Sequence, residues 1–105
     1  MDLTEAASTF AALGSEQRLH VLRTLVRAGP DGLAIGELGA RTGVTGSTLT
    51  HHMKLLAAAG LVEQVRDGRR IICIAAAFER VHVMSEFLLK ECCADSEADK
   101  ENNHG

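Results

Sequence analysis

Two adjacent cysteines, Cys92 and Cys93, are the residues in this chain best suited to direct chemistry. Thiolates are soft ligands, and they select soft acceptors such as thiophilic metal or metalloid ions. An ordinary disulfide between the two is disfavoured, because adjacent Cα atoms lie ~3.8 Å apart and ordinary bridges need at least ~4.4 Å. The pair therefore predicts a site for a thiophilic ligand. The alternative is a pair of small side chains buried in an interface.

A second chemical feature lies in residues 43–62, where hydroxyl groups and basic side chains interrupt an apolar repeat. Leu49, Met53 and Leu56 recur at i, i+4 and i+7, which predicts one buried stripe on a helix. Hydroxyl and ammonium groups at the start of such a helix suit bases and phosphates in a major groove. The predicted DNA-contacting residues of this segment are Thr45, Ser47, Thr48, Thr50, His51 and Lys54.

The same segment holds residues whose predicted role is structural. Thr45 is also expected to be the N-cap, where its hydroxyl can accept from a backbone N–H, and Gly60 suits the C′ position. His52 lies ~100° round the helix from His51, toward the apolar stripe, so we expect a hydrogen-bonded packing histidine. The two histidines do not predict a metal site, since chelating pairs on a helix are three or four residues apart.

Charge is distributed unevenly along the chain, whose formal net charge is −3. Residues 41–70 are basic, whereas residues 91–105 are mostly acidic. Because the local field attracts phosphates, the basic middle favours a nucleic-acid partner despite the net charge. Tyr and Trp are absent, which disfavours single-strand or RNA recognition by base stacking. We expect no enzyme, because the sequence has no carboxylate cluster, zinc signature or phosphate-binding glycine loop.

Helical and strand periodicities predict a mainly helical fold with a β-hairpin. The expected helices cover residues 2–13, 15–28, 34–42, 45–60 and about 76–94. Strands are expected at residues 61–66 and 69–75, on either side of a two-residue primed turn made by Asp67 and Gly68. This order of elements predicts a winged helix-turn-helix.

The apolar positions divide into a core set and an interface set. The predicted core stripe of the second helix comprises Leu19, Leu22, Leu25 and Val26. Arg18 is expected on the solvated face of the same helix. The first and last helices are more apolar than a small monomer needs to cover, so we expect a homodimer through these two helices.

The chain is expected to form one winged helix-turn-helix domain at residues 1–94, followed by a disordered acidic tail at residues 95–105. The acidic N-terminus lacks the pattern of an export signal, and no apolar run approaches the ~18 residues of a membrane span. We therefore expect a cytoplasmic protein without a membrane partner, in which the three cysteines stay reduced.

Four motifs follow one another along the chain. They are residues 13–19 (LGSEQRL), 47–56 (STLTHHMKLL), 59–62 (AGLV) and 67–70 (DGRR). Together they resemble the ArsR/SmtB repressors, which are metal- and metalloid-responsive homodimers of bacteria. The resemblance implies a homodimer that represses by binding a palindromic operator in double-stranded DNA. Arg69 and Arg70, at the hairpin tip, are expected to contact the DNA backbone as a wing, and the alternative is a solvated turn.

Cys92 and Cys93 resemble the vicinal cysteines of arsenic-responsive members that sense at the last helix. This resemblance implies that trivalent arsenic or antimony binds the pair and releases the operator. Those members carry a third cysteine further along the tail, and residues 95–105 contain none. The third ligand could then be Cys73, a cysteine of the partner chain, a small thiol or an oxygen donor.

Other sensing sites of the family match this sequence poorly. The Cys-x-Cys pair of the third helix is replaced by residues 34–37 (AIGE). In the last helix, His82 and Glu86 are spaced i, i+4, but the other ligands of a zinc site are missing. Two alternative functions remain open. One is a thiol-redox or persulfide sensor that acts through Cys73 or a bridge between last helices. The other is a dimeric interaction module without DNA binding.

Overall fold

The computed structural model describes residues 1–96, where five helices surround a small antiparallel sheet. The elements in chain order are α1 (Leu3–Ala12), α2 (Glu16–Ala28), β1 (Leu33–Ala34), α3 (Ile35–Thr42), α4 (Gly46–Ala58), β2 (Val62–Asp67), β3 (Arg70–Ala75) and α5 (Ala77–Leu89). The predicted fold class, mainly helical with a hairpin wing, is confirmed. Most of the predicted acidic tail, residues 97–105, lies outside the described residues. Within residues 1–96, every helix is too short or too polar to cross a membrane.

The core forms where α2, α3 and α4 pack against one face of the sheet. Its largest fully buried side chains include Leu25, Leu38, Met53, Leu56, Leu61 and Val21. The predicted stripe of α2 is only half correct, because Leu19 and Val26 are 43% and 55% exposed. Val21 is completely buried instead, so the inward face of α2 is centred on Val21, Leu22 and Leu25.

The turn between α3 and α4 is fixed by one side chain. Thr42 donates from its hydroxyl to the Leu38 carbonyl at 2.8 Å and accepts from the Val44 backbone N–H at 3.2 Å. Val44 is itself buried in the core. Gly39 of α3 lets the chain pass closely at this turn because it has no side chain. A Cβ at this position would lie only 3.2 Å from the Thr45 methyl group. These contacts set the angle between the two helices of the helix-turn-helix.

The sheet has the strand order β1-β3-β2 and differs from the prediction in two ways. Sequence analysis missed β1, which is only two residues long and pairs Leu33 with Cys73. The hairpin turn also lies one residue later than predicted, because Asp67 pairs with Arg70 across the strands. Gly68, with φ +64°, thus occupies the first central position of the turn. A primed turn requires positive φ at that position, which glycine adopts without strain.

Helix α5 ends at Leu89, earlier than the predicted end near residue 94. The Cys92 backbone N–H donates to the Leu89 carbonyl at 2.9 Å within a succession of turns. Cys93 then adopts φ +63°, a left-handed conformation that cannot continue a right-handed helix. The prediction that Cys92 and Cys93 form the last helical turn is therefore wrong. They lie in a turn segment just beyond α5.

Candidate nucleic-acid interface and thiol pair

Helix α4 has one buried side and one exposed side, as its periodicity predicts. Leu49, Met53 and Leu56 are at most 3% exposed and point into the core. The side chains that the structure leaves exposed on the other side include all six predicted DNA contacts: Thr45, Ser47, Thr48, Thr50, His51 and Lys54. We call this set the α4 outer face. It carries no carboxylate, since α4 has no acidic residue in its first turn and none elsewhere.

Two hydroxyl groups at the start of α4 differ in their local bonding. Thr45 occupies the predicted N-cap position, with φ −131° and ψ 173°, but its side chain makes no capping hydrogen bond. The predicted capping role is therefore wrong in that detail. Thr50 donates to the Gly46 carbonyl at 3.2 Å, which orients its hydroxyl along the helix. A hydroxyl that donates in this way keeps its acceptor capacity, and Thr50 is exposed, so the group can also accept from a ligand.

His52 lies on the buried side of α4 and is hydrogen-bonded, as predicted, and the structure shows that its partners belong to α2. Its Nε2 lies 2.9 Å from the Gln17 side-chain oxygen, and its Nδ1 lies 3.5 Å from the Arg18 guanidinium. Arg18 was expected on a solvated face, and instead its Nε donates to the Ala12 carbonyl at 2.7 Å. Gln17 and Arg18 were not recognised from the sequence, which gives no local pattern for contacts between separate helices.

A second arginine braces the other end of α4. Arg80 of α5 donates from Nε to the carbonyl of Ala59, the C-cap residue of α4, at 3.1 Å. Its Nη2 forms an ion pair with Glu5 of α1 at 2.9 Å. The guanidinium also lies over Gly60, where a Cβ would come within 3.3 Å of Nε. The carbonyl of Ala59 is one of those that a helix end leaves without an intrahelical partner, so Arg80 both caps and anchors α4.

The wing is formed by β2, β3 and the turn between them. Residues 63–70 are exposed throughout, and Arg69 lies in the turn itself whereas Arg70 begins β3. Arg66 precedes the turn on β2 and adds a third guanidinium to the tip. The tip therefore presents three exposed cations, and none of them is paired with another side chain of residues 1–96. Such groups suit phosphates.

The two vicinal thiols contact one another. The Sγ atoms of Cys92 and Cys93 are 3.4 Å apart, well beyond the ~2.05 Å of a disulfide bond. The side chain of Cys92 is exposed, and that of Cys93 is partly exposed. Metal–thiolate bonds are ~2.3 Å long for zinc, so one ion can contact two sulfur atoms at this separation. The pair fits a thiophilic ligand in spacing and access.

Cys73 is in a different environment from the vicinal pair. It is completely buried in β3, opposite Gln64 of β2. Burial raises the pKa of the Cys73 thiol, against a smaller opposing effect of a hydrogen bond with Gln64. Within residues 1–96, no three His, Cys, Asp or Glu side chains converge as a metal site would require. The chain therefore does not bring Cys73 to Cys92 and Cys93 as a third ligand.

His82 and Glu86, the other spaced pair in α5, form an exposed ion pair. His82 Nε2 lies 3.0 Å from Glu86 Oε1, and both side chains are more than half exposed. Phe78 stacks on the His82 ring with a centroid separation of 6.4 Å. An exposed pair of this kind contributes little to stability, with a typical value of about 0.2–1 kcal/mol.

Comparison with known proteins identifies several that are similar to this chain. The helix-turn-helix domain family matches residues 13–65, which extend from the end of α1 into β2. An uncharacterised HTH-type transcriptional regulator of Bacillus subtilis, YceK, is 38% identical over 63 residues. That match covers 60% of this chain and 62% of the Bacillus protein, so this chain spans less than two-thirds of that relative.

Solved structures resemble the whole described fold. An ArsR-like transcriptional regulator from Rhodococcus sp. RHA1 has 29% identity and a TM-score of 0.71, with 95% of this chain and 88% of that chain covered. The homodimeric winged helix-turn-helix domain of a possible ArsR-family regulator from Mycobacterium bovis has 24% identity and a TM-score of 0.68. It covers 86% of this chain and 82% of its own, and it supports the fold alone. These relatives are regulators rather than enzymes, in agreement with the expectation from the sequence.

Proposed function

Because the chain belongs to the helix-turn-helix domain family, we propose that it is a DNA-binding transcriptional repressor of the ArsR type. The observation that carries this proposal is the division of α4 into two sides. Its apolar side is locked in the core, while hydroxyl, imidazole and ammonium groups cover the exposed start of the helix. A rigid helix with such a face suits the major groove, where hydroxyls and cations can reach base edges and phosphates.

The proposed regulator acts as a homodimer through α1 and α5. Apolar side chains remain exposed on these helices, most of all Phe78 at 90% and Leu3 at 75%. Burial of these side chains against a second copy adds hydrophobic stabilisation of about 25 cal/mol for each Å² of apolar surface buried. Two copies related by a dyad present two α4 helices to half-sites about one helical turn apart, ~34–36 Å.

The dimer can be tested with a matched pair of substitutions. Phe78→Asp should shift the protein to monomers in sedimentation equilibrium, because a charge would be buried in the interface. Val65→Asp is the control, since Val65 is also apolar and exposed but lies on the wing. Equal dissociation of both variants, or a monomeric wild-type protein, would contradict the proposed interface.

The DNA-binding proposal predicts that substitutions on the α4 outer face change DNA binding in two ways, by lowering affinity or by relaxing sequence preference. Lys54→Ala should weaken specific and non-specific DNA alike and reduce the salt slope by about one unit, because one phosphate contact is removed. Thr50→Ala should instead relax the preference at particular base pairs. Lys90→Ala is the control, because it removes an equal charge beyond the end of α5. If the protein shows no salt-dependent DNA binding, it is an interaction module instead.

We further propose that Cys92 and Cys93 bind trivalent arsenic or antimony as the inducer. The support is the 3.4 Å separation of two accessible sulfur atoms in a turn segment. Because the sulfur atoms are already adjacent, two-point binding needs little rearrangement of this turn. Release of DNA then requires a third ligand from outside residues 1–96, such as a partner-chain cysteine or a small thiol, that pulls on the end of α5. A ligand can release the operator only if it binds the DNA-free state of the protein more tightly than the DNA-binding state.

The inducer is tested by operator release in the presence of arsenite. Cys92→Ser and Cys93→Ser should each bind the operator normally and ignore arsenite, because each leaves only one thiolate in the pair. Cys73→Ala should remain inducible, since its buried side chain is not part of the pair. Normal release by the double variant of Cys92 and Cys93 would reject this site. Release by peroxide or persulfide, but not by arsenite, would favour the thiol-redox alternative.

A further inference from the structure

His52 is an ionisable side chain held in the protein interior, directly behind the α4 outer face. It is 8% exposed and packs beside Met53 on the buried side of the helix. A buried imidazole is stable only when both ring nitrogens are paired, because a polar group removed from water without a partner loses its hydration uncompensated. The partners of these two nitrogens therefore determine which tautomer and which protonation state of the ring is stable in the fold.

The two partners select one neutral tautomer. Arg18 has only donors, so at 3.5 Å its Nη1 donates and the His52 Nδ1 must accept. The single proton of the neutral ring is then on Nε2, which donates to the Gln17 Oε1 at 2.9 Å. Both nitrogens are satisfied in this form and in no other. The protonated ring would direct a second N–H at a guanidinium, which cannot accept it.

The same contacts join three helices. Arg18 Nε donates to the carbonyl of Ala12, at the end of α1, while Nη1 of the same guanidinium reaches His52 in α4. Gln17, from the first turn of α2, holds the opposite edge of the imidazole. We call this set of four residues, Ala12, Gln17, Arg18 and His52, the imidazole clamp. It fixes the rotation of α4 about its own axis relative to α1 and α2.

Every ionisable group that acts on the ring opposes its protonation. Burial lowers the pKa of His52, and the Arg18 guanidinium of α2 and the neighbouring His51 of α4 lower it further. Within residues 1–96, α1 contributes only the neutral Ala12 carbonyl to the clamp, and no carboxylate of α3 or β2 acts on the ring. A proton on His52 therefore meets the fixed positive charge of Arg18, and no carboxylate within residues 1–96 is among the groups that act on the ring.

We propose that neutral His52 is the positioning residue that holds α4 in its DNA-binding orientation, and that protonation of His52 opens the imidazole clamp and lowers operator affinity. This inference rests on the proposed DNA-binding function and adds acid sensitivity to it. The residue proposed to respond to pH lies in the clamp, behind the α4 outer face. Repression would weaken as the surroundings of the protein become acidic.

The size of the effect follows from the population of the neutral ring. Apparent affinity is reduced by the fraction of molecules in the competent state. One pH unit below the pKa of His52, roughly one subunit in ten keeps the neutral ring, so affinity falls about tenfold for each subunit and roughly a hundredfold for a dimer that needs both α4 helices. Because the pKa of His52 is lowered from 6.5, the loss sets in below about pH 6.5 and grows on further acidification.

The experiment must separate His52 from its neighbour. His51 is a second imidazole and lies on the α4 outer face, where it is proposed to contact DNA, so it must be replaced before a pH effect can be assigned to His52. We would therefore use the full chain with His51→Gln as the reference and measure operator affinity by fluorescence anisotropy from about pH 7.5 to about pH 5. The reference should lose affinity on acidification. Addition of His52→Gln should make affinity weaker at neutral pH but constant across the range, because glutamine does not titrate.

The outcomes distinguish this inference from the proposed function. No specific DNA binding at neutral pH by wild type and reference would reject the function itself. Specific binding with the same acid loss in both variants would overturn the role of His52 and leave DNA binding intact. Helical circular dichroism must stay constant while affinity falls. A parallel loss of helical signal would show that His52 only maintains the fold, and would also overturn the inference.

A measurement on the wild-type chain keeps the test independent of any variant. Imidazole nitrogen shifts in NMR should show the Nε2–H tautomer of His52 at neutral pH, since both partners require it. The affinity loss should begin at the pH where His52 of the DNA-free protein titrates. An Nδ1–H tautomer, or an onset about one pH unit away from the titration midpoint, would contradict the clamp.

Discussion

Arg80 offers a stability prediction whose size can be worked out from its contacts. Arg80→Met keeps most of the apolar stem and removes both hydrogen-bonding arms, one to the Ala59 carbonyl at 3.1 Å and one to Glu5 at 2.9 Å. A hydrogen bond from a charged donor contributes about 1.5–3 kcal/mol, and a partly exposed ion pair about 0–1 kcal/mol. We therefore expect the free energy of unfolding to fall by about 2–3 kcal/mol.

Urea unfolding at one fixed chain concentration measures this change, because subunit association also contributes to apparent stability. For a chain of 105 residues, the same loss corresponds to a melting temperature lower by about 10 °C. Glu5→Gln is the matched control, since it removes the ion pair and leaves the bond to Ala59. We expect it to cost no more than about 1 kcal/mol.

The double variant completes a thermodynamic cycle for the two residues. If Glu5→Gln costs as much as Arg80→Met, the ion pair rather than the bond to α4 stabilises the junction. If Arg80→Met unfolds at the same urea concentration as wild type, the guanidinium does not brace the end of α4 at all. Either result would refute the reasoning from the contact geometry.

Three further predictions concern the wing, the end of α4 and the buried thiol. Changing Arg69 and Arg70 together to Ala should lower operator affinity and leave the preferred sequence unchanged, since they are proposed to contact only the backbone; a shifted preference in a selection experiment would argue against this. Gly60→Ala should cost about 1–2 kcal/mol in urea unfolding, because φ +76° is unfavourable for a Cβ. Cys92 should be alkylated rapidly at neutral pH while Cys73 reacts only on unfolding, because burial raises the pKa of Cys73 and excludes the reagent; rapid labelling of Cys73, followed by mass spectrometry, would show otherwise.

The faces of α4 could be predicted from the sequence because they depend on local spacing alone. Leu49, Met53 and Leu56 recur with the helical period, so the positions on the opposite side of the helix, such as Thr50 and Lys54, were expected to face outward. The hairpin was predictable for a similar reason, since a glycine between two short apolar runs restricts the backbone to a few turn types. The exact turn was not, because the register also depends on which face of β3 meets the core.

The C-terminal end of helix α5 could not be predicted from the local sequence. Residues 90–94 contain good helix formers, yet the helix stops at Leu89 and Cys93 turns left-handed. Residues 91–95 are mostly exposed, and propensity alone is a weak influence without the packing that stabilises most helices, so the prediction of a continuous helix failed there. This error matters for the proposed inducer site, because the two thiols are brought together by the turn and not by a helical face.

The sequence by itself thus determined which side of α4 is exposed and that two cysteines are adjacent, because both are local properties of the chain. Only the tertiary structure decided what holds them in place. Arg18 and His52 are separated by 34 positions along the chain, and Arg80 and Glu5 by 75. No spacing rule links such distant residues. Their contacts exist because the core packs α1, α2, α4 and α5 together, and buried polar groups must then find partners across those helices.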